Sequence, residues 1–184
     1  MPGRTVPEAL TAFIDPIQSA VACLGSAKIS LSPGARGDID TAHAWTLNSD
    51  DGMRQGWLGF RPRMRFRYLK LDPEKAEPGH KWRVTTMGHM YEITMDEEPI
   101  VDYHWHPDSN PRPHQHFGAA VLAPDGVITP RTHLATGRTS IEDMVRLLLA
   151  ELKWKPAVDD WEGKPALSEG VFRLYSSWRD QPPT

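Results

Sequence analysis

Polar and apolar side chains alternate over residues 63–71, and this two-residue period constrains the fold more than any other feature of the chain. A period of two is typical of a β-strand that buries one face and exposes the other. Similar strand-like runs, separated by turn residues, continue as far as residue 129. The sequence therefore predicts an antiparallel sheet over residues 57–129. The alternating positions are Arg63, Arg65 and Arg67 on one face and Met64, Phe66 and Tyr68 on the other.

Turn signals divide the predicted sheet into hairpins. Asp125-Gly126 is a strong turn dipeptide, and Gly88 stands between two strand-like runs. We therefore expect two hairpins and one further short strand. The expected strands are Lys81–Thr86 paired with Met90–Met95, Ile100–His106 paired with His114–Leu122, and Val127–Thr129.

Apolar residues recur at helical spacing near the beginning of the chain. The pattern predicts a helix over residues 7–24. Pro16 is expected to bend or split this helix, because proline has no backbone N–H to donate. Gly, Ser and Asp dominate residues 26–56, which are expected to form a loop with one strand at Ala42–Leu47.

The C-terminal third of the sequence is predicted to be helical, over residues 139–180. Thr139 and Glu142 have the spacing of a capping box ahead of an apolar run, which predicts a helix over residues 140–153. Val171–Trp178 is expected to form a last short helix or strand. The order of helix, strands and helix predicts a single α+β domain of all 184 residues. In this fold the N-terminal and C-terminal helices pack on one face of an antiparallel β-meander sheet.

Composition excludes several classes of protein. The formal net charge is −3, so the totals do not indicate a strongly basic nucleic-acid binder. A single cysteine, Cys23, excludes an internal disulfide framework and a zinc site built on cysteines, and it fits a cytoplasmic location. No run approaches the roughly 18 apolar residues of a membrane span, so no membrane contact is expected.

Four of the eight histidines lie in two His-x-His pairs between residues 104 and 116. Alternation along a strand places both members of a pair on the same face. Prolines and an asparagine make the residues between the pairs a natural turn, so the two strands are expected to fold back on each other. His106 is then expected near His114, and His104 near His116, with Asp102 on the same face.

Two kinds of chemistry suit four imidazoles on one face. Neutral imidazoles bind zinc or another divalent transition metal well, and three such ligands with an open position activate water. Alternatively, two histidines act without a metal as general base and general acid, because their ordinary pKa lies near neutrality. In either case Asp102 is expected to orient a ring nitrogen. A polar surface stripe without chemistry is the competing interpretation.

Basic residues offer candidate contacts for phosphates. The arginine stripe of the first predicted strand suits an anionic ligand, although a solvated face paired with the acidic residues 96–98 explains it equally well. The loop that carries His133 and Arg138 is expected either to extend the histidine cluster and hold an anion at a helix N-terminus, or to be a capped, solvated loop. The candidate substrate-binding residues are Arg63, Arg65, Arg67, Arg112 and Arg138.

Four segments resemble the TumE-type toxins and related bacterial proteins of toxin–antitoxin modules, in which a β-meander ends in a histidine-rich strand pair and a helix follows. The resemblance covers about a third of the chain, and residues 1–60 have no counterpart in it. It implies a toxin that acts on RNA or nucleotides and is neutralised by a protein partner. The segments are Tyr91–Met95, Asp102–His106, Pro113–Gly118 and Thr136–Leu149.

Two functions are compatible with these features. The first is a phosphodiester-acting hydrolase, a ribonuclease-like toxin or defence effector, in which the histidine cluster performs the chemistry. The second is a non-catalytic module that binds a metal or a protein partner, such as an antitoxin-like or regulatory protein. The second is favoured by the scarcity of acidic groups in the hairpin other than Asp102.

Overall fold

The computed structural model describes residues 2–166 and residue 170, and this part of the chain has the predicted α+β architecture. All paired strands are antiparallel. The longer helices are α1 (Val6–Val21) and α2 (Ile141–Arg146), and a turn of π-helix, Leu147–Glu151, follows α2. Asn48–Asp50 and Ala119–Val121 form short 3-10 helices, and residues 163–166 are also helical. The strands are β1 (Pro2–Gly3), β2 (Ile29–Leu31), β3 (His43–Leu47), β4 (Met53–Gln55), β5 (Leu58–Lys70), β6 (Trp82–Met95), β7 (Glu98–His106), β8 (Asn110–Phe117) and β9 (Leu134–Ala135).

The sheet is ordered β2-β3-β5-β6-β7-β8-β9, with β1 paired to β6 and β4 paired to β5. One face carries the core, in which Phe13 of α1 packs on Phe66 of β5 with ring centroids 5.6 Å apart. Apolar residues of α2, including Met144 and Leu148, are fully buried in the same cluster. Both helices therefore cover one face of the sheet, and the other face is left to polar side chains.

Helix α1 is continuous through Pro16, so the predicted split is wrong. Thr5 caps the helix by accepting a hydrogen bond from the Glu8 backbone N–H at 3.3 Å. Apolar side chains on both sides of the proline, such as Phe13 and Ile17, are buried in the same core. Their burial holds the helix together although Pro16 contributes no backbone donor.

The region predicted as a loop, residues 26–56, contains three strands rather than one. Strand β3 matches the expected strand at Ala42–Leu47, whereas β2 and β4 were not predicted. Each of these two is three residues long, which is too short for a period of two to be visible in the sequence. They form because a longer strand, β3 or β5, offers them a backbone to pair with.

Gly88 does not form a hairpin turn, because β6 runs through it as one strand. A register shift in the β5–β6 pairing occurs at this point, between Arg65 and Phe66. A Cβ atom at Gly88 would lie 2.7 Å from the Trp105 carbonyl oxygen of β7. The glycine is therefore required for the close approach of two strands, and the turn interpretation of the sequence is wrong.

The chain after β8 also differs from the prediction. Strand β8 ends at Phe117 instead of continuing to residue 122, and no strand forms at Val127–Thr129. The next strand is β9, which pairs with His114 and Gln115 of β8. Residues 118–133 therefore form a long connection. The prediction of a strand in this region was wrong because the turn dipeptide Asp125-Gly126 suggested a hairpin.

The C-terminal helix is shorter and begins one residue later than predicted. Its capping box is formed by Ser140 and Asp143, not by Thr139 and Glu142, because this shift directs Ile141 and its helical neighbours into the core. The helical structure ends at Glu151, residues 152–162 are not helical, and residues 163–166 form a separate helical turn. The predicted element at residues 171–178 and the rest of the predicted helical segment beyond it lie outside the described residues.

Within the described residues, no helix has the length and the apolar composition that would be needed to cross a membrane.

The glycine that follows β8 is expected to be essential for the hairpin. A Cβ atom at Gly118 would overlap the carbonyl oxygen of Pro99 on β7. Gly118→Ala should therefore lower the free energy of unfolding by about 3 kcal/mol or more. Gly137→Ala is the matched control, because no described atom lies within 4 Å of its added Cβ, and a change of less than about 0.5 kcal/mol is expected. Urea denaturation of both variants measures the difference, and equal stabilities would contradict this reading of the hairpin.

Candidate metal centre

The histidine cluster lies on a tight β7–β8 hairpin. Its turn contains three residues, Pro107–Ser109, because β8 already begins at Asn110, so the expected turn of seven residues is wrong. The prolines in this part of β8 are tolerated because β9 pairs only with residues further along the strand. The indole Nε1–H of Trp105 donates a hydrogen bond to the Pro111 carbonyl oxygen at 3.2 Å and fastens the two strands together.

The hairpin brings the four histidines together, but in a register different from the expected one. His104 lies directly opposite His114, and Asp102 lies opposite His116. An irregularity between His104 and His106 shifts the pairing from that point. The rings are close all the same, since their centroids lie 5.1 Å apart for His104 and His116 and 4.9 Å apart for His106 and His114.

A fifth imidazole, that of His133, completes the cluster from the segment between β8 and β9. Its ring is stacked on that of His114, with centroids 4.5 Å apart and planes inclined by 6°. Its centroid lies 4.6 Å from that of His116. The structure thus favours the interpretation in which the loop extends the cluster.

The cluster occupies the face of the sheet opposite the helices. Cross-strand partners share a face, and Tyr103, the neighbour of His104 in the chain, is paired with the fully buried core residue Tyr91. His114 is nevertheless only 2% exposed. It is buried because the segment that carries His133 folds over it.

Backbone carbonyls fix the proton positions of two rings. The Nδ1–H of His114 donates to the Arg112 carbonyl oxygen at 2.9 Å, and the Nδ1–H of His116 donates to the Pro130 carbonyl oxygen at 3.2 Å. A carbonyl can only accept, so in the neutral rings the lone pair is on Nε2. Histidine ligands of metal ions are oriented in the same way, through the second ring nitrogen.

Three of the histidines have the spacing of a metal site. One ring nitrogen from each of His104, His114 and His116 lies within 4.8 Å of the other two. Zinc–nitrogen bonds of 2.0–2.1 Å in tetrahedral geometry place ligand nitrogens roughly 3.3 Å apart. The Nε2 atoms of His104 and His114 are buried and have no hydrogen-bond partner among the described residues. Small rotations of the rings would thus both create a metal site and satisfy these atoms.

The electrostatics of the cluster favour neutral imidazoles. Burial and, to a lesser extent, the neighbouring histidines together lower the pKa of His104 to about 4. Burial and the proximity of His133 also lower the pKa of His116. Neutral rings are the form that binds a metal, whereas the metal-free mechanism requires one protonated histidine near neutral pH. The lowered pKa of His104 therefore suits a metal ligand better than a general acid.

Asp102 does not orient a ring nitrogen in the way the sequence suggested. Its Oδ1 atom is buried without a hydrogen-bond partner among the described residues. It lies in a row of cross-strand neighbours that continues to Glu92, whose carboxylate pairs with Arg61 at 3.0 Å. Burial and the charge of Glu92 raise the pKa of Asp102 to about 6. Local sequence patterns do not reveal this carboxyl pair, because its members are on different strands.

The arginine stripe lies on the same face as the histidines, two strands away. Strand spacing places β5 roughly 10 Å from β7. Arg63 pairs with Asp50 at 2.7 Å, and Arg65 lies 3.9 Å from Asp108 in the hairpin turn. The stripe is thus neutralised by Asp50 and Asp108 and not by the acidic residues 96–98, as the sequence suggested. Glu97 pairs instead with Arg54.

The other two candidate arginines have different positions. Arg112 is exposed beside the cluster, and its backbone carbonyl accepts the His114 hydrogen bond. Arg138 lies over the ring of Trp105 at 4.6 Å, on the face of the sheet that carries the helices. The structure therefore does not bring Arg138 to the hairpin histidines, and the expected anion site at the helix N-terminus stays a prediction.

Comparison of the chain with protein-family models, with curated proteins and with solved structures found no match. The resemblance to TumE-type toxins therefore stays a prediction. Any assignment of function depends on the chemistry of the residues described above.

Acid should destabilise the fold because it protonates His89, a buried histidine of β6 on the opposite face of the sheet from the cluster. Burial lowers its pKa to about 3, with further contributions from His104 and Arg138, and its ring is stacked on Tyr91 at 4.5 Å. The unfolded chain binds this proton below pH 6.5, whereas the folded chain does so only near pH 3. The free energy of unfolding should therefore fall by about 1.4 kcal/mol per pH unit below pH 6.5 for this group.

The variant His89→Gln separates this contribution from other titrations. It should be less stable than the wild type at pH 7.5, but its stability should decrease less between pH 6.5 and pH 4.5. Urea denaturation at several pH values measures both curves. Parallel curves for the two proteins would show that His89 is not kept neutral by the fold.

Proposed function

We propose that His104, His114 and His116 bind a divalent transition metal, with zinc as the first candidate, and that the protein is a metal-dependent hydrolase of phosphodiesters. The observation that carries the proposal is the convergence of three ring nitrogens within 4.8 Å. It is supported by the backbone carbonyls that leave the Nε2 lone pairs of His114 and His116 for a ligand.

The donor set favours zinc and similar ions over magnesium or calcium. Neutral imidazoles suit zinc, copper, nickel and cobalt, whereas magnesium and calcium require oxygen ligands. The one cysteine, Cys23, is buried in the core beside α1, so the ligand set contains no sulfur. Three imidazoles leave a fourth position, and zinc in such a site supplies a water that is activated near neutral pH.

The phosphodiester substrate is inferred from the charges around the cluster. Arg67 and Arg112 are exposed, and within the described residues neither has a carboxylate in ion-pair distance. Arg65 is only loosely paired, since its partner Asp108 is 3.9 Å away and both side chains are more than half exposed. These cations can neutralise an anionic backbone that passes over the site. RNA is the first candidate substrate. In this proposal the protein is a cytoplasmic toxin or defence effector that has a protein partner.

A non-catalytic metal site is the second candidate function. The observation that favours it is the burial of His114, which is 2% exposed, with the His133 ring stacked on it. A fourth imidazole would close the site, and closed four-ligand sites are typically structural. In that case the metal stabilises the hairpin for a regulatory or partner-binding role.

Zinc is expected to bind in a ratio of one ion per chain. His114→Ala should weaken binding by at least roughly 100-fold, since it removes a ligand rather than a residue that supports one. His80→Ala is the matched control, because His80 lies outside the cluster and pairs with Glu77 at 3.2 Å. Isothermal titration calorimetry of the metal-free proteins gives the affinities. Wild-type affinity in His114→Ala, or a similar loss in the control, would refute the site.

Hydrolysis should require the metal. The zinc-loaded protein is expected to cleave single-stranded RNA, and His104→Ala or removal of zinc by a chelator should lower the rate at least roughly 100-fold. Arg67→Gln should mainly raise KM, and more so at low salt, because it removes an exposed phosphate contact that high salt screens. Gel analysis of a labelled RNA measures cleavage. Zinc binding without hydrolysis of RNA or of simple phosphodiesters would favour the non-catalytic alternative.

A further inference from the structure

The connection between β8 and β9 is suited to move relative to the sheet. Most side chains of residues 118–133 are exposed, and Val127 is 97% exposed. Side-chain hydrogen bonds hold its far end to the hairpin, from His116 to the Pro130 carbonyl and from Asn110 to His133. Besides the backbone contacts at its two ends, the segment is therefore held over the cluster by side chains of the β7–β8 hairpin.

His133 is close to the three candidate ligands but is not oriented as a ligand. Ring lone pairs lie in the ring plane, and the plane of His133 is nearly parallel to that of His114. Two parallel rings do not direct their nitrogens at one point, so the stack is not a pair of ligands. The ring of His133 is nonetheless only 4.6 Å from that of His116, and a rotation of the side chain would bring a nitrogen into the site.

A hydrogen bond from Asn110 keeps the His133 ring in this orientation, stacked on His114 and not directed at the site. The Asn110 Oδ1 atom accepts the backbone N–H of Arg112 at 3.2 Å, which fixes the orientation of the amide. The amide Nδ2 then donates to the Nδ1 atom of His133 at 3.2 Å. The His133 lone pair is thereby occupied, and the ring proton is on Nε2. Coordination requires that this contact break or that the proton move to Nδ1.

We propose that His133 is an exchangeable fourth ligand of the metal site and that its coordination closes residues 118–133 over the site. The inference rests on the proposed metal binding by the other three histidines. With His133 coordinated, the fourth position is filled and substrate is excluded. With His133 returned to Asn110, the fourth position has no protein ligand, and movement of the segment away from the cluster then admits water, as hydrolysis requires. The same protein thus has a closed storage state and an open reactive state.

His106 is the alternative fourth ligand, and its position suits this role less well. Its ring centroid lies 4.9 Å from that of His114 and 5.9 Å from that of His104. Its Nδ1 atom is engaged with the Ser109 hydroxyl at 2.7 Å in the turn of the hairpin. His106 is held by two paired strands, whereas His133 belongs to the exposed segment. His106→Ala is therefore the matched control.

The test combines zinc affinity with limited proteolysis of the full chain. His133→Ala should bind zinc roughly 10–100-fold more weakly than the wild type, and His106→Ala within about threefold of it. Exposed Arg131 provides a trypsin site inside the segment. Zinc should slow cleavage after Arg131 in the wild type and in His106→Ala, but not in His133→Ala. His133 is exposed, so its replacement is expected to leave the fold intact, which circular dichroism can verify.

The outcomes separate this inference from the proposed metal site. Wild-type zinc affinity in His133→Ala, or the same loss in His106→Ala alone, would overturn the role of His133. Cleavage after Arg131 that does not respond to zinc in the wild type would overturn the closure. If the wild type itself bound no zinc, both proposals would fail. This result is distinguishable from failure of the His133 role alone, in which the wild type still binds zinc.

Discussion

The pairing of β7 with β8 is the constraint on which the rest of the structure depends. It places His104 opposite His114 and Asp102 opposite His116, on the face that the helices leave uncovered. Close approach of the neighbouring strand and of the chain after β8 is possible only because Gly88 and Gly118 have no side chain. A shift of β8 by one residue would move His114 and His116 to the core face, so the register and the site are specified together.

The cluster carries a cost that a bound metal would remove. The Nε2 atoms of His104 and His114 are buried and have no hydrogen-bond partner in the part of the chain that the structure describes, and a buried polar atom that lacks a hydrogen bond costs about 1–3 kcal/mol. Desolvation lowers the pKa of His104 and so favours its neutral ring, and neutral rings are the ligand form. Burial, tautomer and spacing thus point to the same chemistry. The packing of α1 and α2 on the opposite face of the sheet stabilises the fold and offsets this cost.

Local periodicity predicted the parts of the structure that depend on neighbouring residues in the chain. It predicted the two faces of β5, with Phe66 buried and Arg65 exposed, and the gathering of the hairpin histidines. It could not predict the register, which an irregularity beyond His104 determines, nor that Gly88 lies inside a strand. The position of Arg138 across the sheet depends on contacts between distant segments, for which a single sequence contains no signal.

X-ray absorption spectroscopy of the zinc-loaded protein tests the central claim most directly, because it identifies the atoms that surround the ion. If His104, His114 and His116 hold the ion, the shell contains nitrogen and oxygen atoms at about 2.0–2.1 Å, with the multiple scattering of at least three imidazoles and no sulfur at 2.3 Å. Removal of His114 should eliminate part of that imidazole signal. A shell of oxygen atoms alone, or one that includes sulfur from Cys23, would contradict the account.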